Sequence, residues 1–122
     1  GYKAPAGGTL APAAAAREAL SQLRAAHNSL QAQLRNVPGA AYAVSVPFLR
    51  LCGIVIGGWL TARAAHIAAQ QLEAGAADQA FMRAKLQTAA FYCAQTLPQA
   101  LALSRTVRAG GRSVAAADPD LI

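Results

Sequence analysis

Leu20, Leu23, Leu30 and Leu34 recur at three- and four-residue steps, with His27 between them. That spacing places them on one helical face and predicts a first helix over about 13–36, ended by Asn36, Pro38 and Gly39. A second apolar run predicts a helix over about 42–74, stopped by Gly75, with Pro47 either in its first turn or at a kink. Unbroken, such a rod would extend roughly 50 Å at ~1.5 Å per residue. That is more than a minimal bundle needs and implies a partner or second domain beside it. A third helix is predicted over about 76–108, with Met82, Leu86, Ala89, Cys93 and Leu97 facing inward and Gly110-Gly111 as its stop. Pro98 should kink or end it, because its ring removes a hydrogen bond and crowds the carbonyl four residues back. Arg112–Ala117 is expected to add a last turn or two. Residues 1–12, rich in Gly, Pro and Ala without an apolar period, read as a flexible lead-in or linker of a longer chain, ahead of a helical domain over 13–122.

Composition sharpens this to an all-α fold, an antiparallel array of about three long helices plus a short C-terminal helical piece. Of 122 residues, 33 are alanine, the strongest helix former, and β-branched residues are scarce. Alanine contacts also bring helix backbones close together.

The formal net charge of +6 raises nucleic acid, acidic lipid or an anionic ligand as partners. The basic residues are spread along the chain, with no basic run and no aromatic interleaving, so a nucleic-acid interface is not expected. Cys52 and Cys93 lack zinc spacing and are expected to be small buried hydrophobes in a reducing compartment, the cytoplasm. The two histidines, His27 and His66, have no Glu-x-x-His partner and are expected to be hydrogen-bonded core or boundary residues. No nucleophile elbow and no carboxylate pair can be assembled, so no catalytic, cofactor-binding or metal-ligating residue is assigned.

The stretch LCGIVIGGWLTARAA, residues 51–65, carries the most information. Arg50 and Arg63 bound only twelve uncharged residues, short of the about 20 that cross a bilayer. Neither a Walker loop nor G-x-G-x-x-G is present. The remaining reading is close packing: Gly53, Gly57, Thr61, Ala65 and Ala69 recur every four residues as a ridge of small side chains, with Gly58 beside it. Phe48, Val55 and Trp59 lie opposite. In FMRAKLQTAAFYCAQTLPQAL, Phe81, Lys85, Thr88 and Tyr92 share a side. Lys85 there is either a snorkelling lysine or, with Tyr92, a hydrogen-bonding contact to a neighbouring domain or ligand.

Taken together, Gly57-Gly58-Trp59 with the alanines that follow, Lys85, Ala89-x-Phe91-Tyr92, Leu97-Pro98, and Gly110 with its later Ser-Val pair resemble one family. It is the acetyl-CoA dehydrogenase-like C-terminal domain of bacterial FAD-dependent acyl-CoA dehydrogenases. The likeness runs from about Tyr42 to Leu121. It implies an accessory helical domain that packs on the catalytic body and supports subunit contacts in a homo-oligomer, a dimer being the simplest. The parent reaction it implies is acyl-CoA to 2,3-enoyl-CoA, with hydride passing to FAD. The flavin-binding helices, the β-domain and the catalytic base belong to regions outside this sequence, so the chain itself is expected to be non-enzymatic and without cofactor. On this reading Trp59, Phe91 and Tyr92 anchor the core or a domain interface. A free-standing helical adaptor that self-associates through the same ridge is the alternative, with a basic nucleic-acid binder behind it.

Overall fold

The computed structural model describes residues 10–111, 116, 117 and 119–121. All secondary structure among them is helical. Helix α1 spans Leu10–Asn36, beginning three residues before the expected start at about 13, so the last three residues of the expected lead-in are helical and its other residues, 1–9, lie outside the described ones. The chain then breaks only at Val37. Pro38, whose missing N–H costs nothing at a first helical position, opens a short helix α2, Pro38–Ala43. A loop was expected there. Helix α3 spans Ser45–Glu73, so Pro47 falls in its first turn rather than at a kink. Its 29 residues give a rod of roughly 43 Å at ~1.5 Å each.

The end of α3 is a Schellman turn. Gly75 has φ +77°, its N–H donates to the Leu72 carbonyl at 3.1 Å, and Ala76 N–H donates to Gln71 at 2.9 Å. Asp78 then caps the next helix, its carboxylate accepting from Phe81 N–H at 3.2 Å.

The expected third helix over 76–108 is two helices. Helix α4 spans Gln79–Phe91 and α5 spans Gln99–Ala109, joined by a π-helical turn over Tyr92–Thr96. The cause is Pro98, which cannot donate into an α-helical ladder. Leu97 N–H reaches back five residues to the Tyr92 carbonyl at 2.9 Å, and Pro98 sits at the start of α5. Gly110, with φ +75°, ends α5, and Gly111 N–H donates to the Ala40 carbonyl at 3.0 Å, tying this end to α2. The expected last turn over 112–117 falls largely outside the described residues. The short C-terminal piece is a 3-10 turn at Pro119–Leu121.

Packing follows the small residues. On α1 the buried side is Ala16, Ala19 and Ala26, flanked by half-buried Leu23 and Leu30, while Leu20 and Leu34 are largely exposed. On α3, Val44 just before it and then Leu51, Val55, Gly58, Ala62 and Ala65 are buried at alternating three- and four-residue steps. Ala100 and Val107 of α5 complete the core. Helix α3 packs against α1, α4 and α5, and α1 also packs on α5. Many of the buried positions are alanine or glycine, which lets backbones approach closely, while Leu51, Val55, Leu97 and Val107 fill the spaces between them.

Three cross-helix hydrogen bonds pin this arrangement. The hydroxyl of fully buried Ser104 donates to the Gln22 carbonyl at 2.8 Å. Gln33 Nε2 donates to the Val107 carbonyl at 2.8 Å. The Tyr92 hydroxyl donates to the Ile54 carbonyl at 2.7 Å. Each gives a polar group in the close contact its partner, as burial demands.

Candidate functional site

The glycine ridge of α3 is used only in part. A β-carbon on Gly57 would run into the Tyr92 hydroxyl and lie 3.0 Å from Cζ of that ring, and one on Gly58 would lie 2.6 Å from Leu97 Cδ2. Tyr92 and Leu97 are the two ends of the π turn, so its extra residue brings both onto the paired glycines. Thr61 is half-buried and donates back to the Gly57 and Gly58 carbonyls at 2.9 and 3.1 Å. A β-carbon on Gly53, by contrast, would meet nothing. The physical reason is that positions four apart advance around a helix instead of stacking in line. A ridge starting at Gly53 therefore begins on the solvent side and reaches the core only by Ala65.

Other expectations are narrowed or changed. Trp59 and Phe91 are not core anchors, being 55% and 67% exposed. Tyr92 spends its hydroxyl inside the chain, on Ile54. Lys85 is exposed with Nζ 5.0 Å from the centre of the Phe81 ring, and Pro98 is exposed at the helix junction. The histidines are exposed rather than core residues. His27 stacks on Phe48 with centroids 6.3 Å apart. Cys52 and Cys93 are half-buried free thiols whose pKa values burial raises. No three His, Cys, Asp or Glu side chains come together among the described residues.

What the pattern reading did not isolate is the outer side of α3. Val46, Leu49, Gly53, Ile56, Leu60, Arg63 and Ile67 follow one another at strict three- and four-residue steps and are all exposed. The five aliphatics among them range from 47% to 72% exposure. Such a seam is the spacing by which one helix receives another, and Gly53 at its second turn is open to a close neighbour. The signal was readable as a second heptad offset from the buried one. The runs of adjacent aliphatics, such as Ile54, Val55 and Ile56, hid it. By length and composition α3 is apolar enough to cross a membrane. Its Arg63 lies within the outer seam, however, and its inner side is occupied by three helices.

Beside the seam, α1 and α3 leave an open groove of about 730 Å³. It is walled by Leu20, Leu23, Val55, Ile56 and Trp59, with Arg17, Arg63 and His66 also lining it. Arg63 stacks over the Trp59 ring at 5.6 Å from its centre, an i,i+4 cation–π contact. The described acidic side chains Glu18, Glu73, Asp78 and Asp120 are all exposed, and none lines this groove. The described residues therefore offer no enclosed carboxylate for proton abstraction.

No curated protein and no solved structure matches the chain. The family model described as acetyl-CoA dehydrogenase C-terminal like matches residues 4–118, so it takes in α1 as well as the stretch from Tyr42 onward. The chain, helical throughout the secondary structure of its described residues, belongs to that family.

Proposed function

We propose that the chain is the accessory helical domain of an FAD-dependent acyl-CoA dehydrogenase, docked on the catalytic body through the outer seam of α3 and supporting contacts between subunits. The observation that carries this reading is the exposed aliphatic row Val46, Leu49, Ile56, Leu60 and Ile67, in a chain of that family. A contiguous apolar row of this length marks an interaction surface. Its heptad spacing suits a protein helix, and Arg63 within it disfavours lipid. The flavin and the base that removes the α-proton are assigned to the body, since the described carboxylates here are exposed. Cys52 and Cys93, both free, suit a cytoplasmic setting.

The test is co-purification with the acyl-CoA dehydrogenase body encoded in the same or a neighbouring reading frame. Replacing Leu49, Ile56 and Leu60 together by Asp should abolish it while leaving the chain helical. Retained assembly would remove the seam from the interface. Loss of vesicle binding, with assembly intact, would point to lipid instead. The chain alone should neither oxidise acyl-CoA nor carry flavin, and a yellow, flavin-loaded preparation would overturn the assignment.

A further inference from the structure

The groove between α1 and α3 has a polarity of its own. These helices run antiparallel, and the stacking of His27 on Phe48 sets their register. Leu23 and Leu20 therefore lie across from Val55 and Ile56, whereas Arg63 and His66 lie toward the end where α1 begins. One end of the groove is hydrocarbon and the other is basic. Its volume of about 730 Å³ falls within the ~300–1,000 Å³ of small-molecule sites.

Neither guanidinium is neutralised. Among the described residues Arg17 has no hydrogen-bond or ion-pair partner, and Arg63 touches only the face of Trp59. No carboxylate lines the groove. Two uncompensated cations beside an apolar trough complement one kind of molecule: a hydrocarbon chain ending in an anion.

We propose that this groove binds a single-chain amphiphile with an anionic head. The chain would lie along Leu23, Val55 and Trp59, and its carboxylate or phosphate would be held by Arg17 and Arg63 through charge-assisted hydrogen bonds. The groove shares Ile56 and Arg63 with the outer seam, so its binding is tested on the chain alone, where failure of the groove and failure of the seam's docking role are read separately.

Trp59 is the only tryptophan in the chain and lines the groove, so its fluorescence reports occupancy directly. Dodecanoate, dodecyl phosphate and dodecyltrimethylammonium would be titrated into the 122-residue chain below their micellar concentrations. The anionic probes should give a saturable blue shift, and the cation of equal chain length should bind about tenfold more weakly or worse. Preference between the two anions assigns the head chemistry. The double variant Arg17→Gln/Arg63→Gln should lose about tenfold or more in affinity for the anions with an unchanged circular-dichroism spectrum and melting curve. Equal binding of anion and cation, the absence of a saturable shift, or unaltered affinity in the double variant would each overturn the proposal. So would binding confined to anionic vesicles.

Discussion

The phenol of Tyr92 occupies the space that a side chain at Gly57 would fill, and its hydroxyl donates to the Ile54 carbonyl one turn away on the same helix. The contact makes two glycines of one helix respond oppositely to the same change. Alanine is the better helix former by ~1 kcal/mol. At Gly53, where a β-carbon meets nothing, Gly53→Ala should raise stability by up to about that amount. At Gly57 the rigid ring must move, and Gly57→Ala should lower it by ~1–3 kcal/mol. Urea midpoints of the two variants should fall on opposite sides of the parent. A shared direction would mean that the tyrosine yields freely.

Alkaline pH should loosen the same contact. Burial raises the pKa of Tyr92 above the ordinary 10.0 of a tyrosine, with the neighbouring Cys93 thiolate adding to the effect. Burial likewise raises Cys52 and Cys93 above the usual 9.0. For groups whose pKa is higher folded than unfolded, the native state holds its protons longer. Their contribution is complete below the unfolded values and is lost as pH rises through the folded ones. Stability measured from about pH 8 to 11 should therefore fall with rising pH. Tyr92→Phe should cost ~0.5–1.5 kcal/mol at neutral pH and make the alkaline part of the curve shallower. An unchanged slope would assign the loss elsewhere.

Two leucines two positions apart should behave as different residue types. Leu51 is fully buried and Leu49 is 72% exposed. Leu51→Ala should cost ~2–5 kcal/mol through the cavity it leaves. Leu49→Ala should stay within about 0.5 kcal/mol of the parent, with its effect appearing in assembly rather than in melting. If Leu49→Ala melted far below the parent, the outer seam would be part of the core.

The thiols should react slowly. Raised pKa values leave less thiolate at Cys52 and Cys93, and thiolate is the nucleophile. Alkylation by iodoacetamide at about pH 8 should be slower in the folded chain than in urea. Equal rates in the two states would contradict the burial.

Helix identity and most stops were legible because they rest on single residues with one physical effect. Gly75 and Gly110 adopt positive φ, Asp78 caps α4, and Pro98 interrupts the last long helix. Burial was legible for Met82, Leu86, Ala89, Cys93 and Leu97, all of them half-buried or buried. For Trp59 and Phe91 the sequence left core and domain interface open, and their exposure removes the core, because hydrophobicity alone does not say which large side chains fit inside. Here the interior is selected by closeness: Ala26, Ala40, Ala65 and Ala100 are fully buried, and there is no room between such backbones for an indole. The groove was beyond reach in the pattern, since Arg17 and Arg63 belong to different helices and come to line one groove only through the packing of α1 on α3.

The π turn between Tyr92 and Thr96 makes the number of residues there more binding than their identity. Deleting one of them would favour a regular α-helical path up to Pro98, yet it would rotate α5 by ~100° about its axis. Ser104 would then lose the Gln22 carbonyl and Val107 would leave the core, although every side chain of α5 remained in the protein. Substitutions in this turn change a contact, whereas a deletion changes the address of an entire helix. Relatives with the same helix packing should accordingly tolerate varied residues between the paired glycines' two partners, but not a different count.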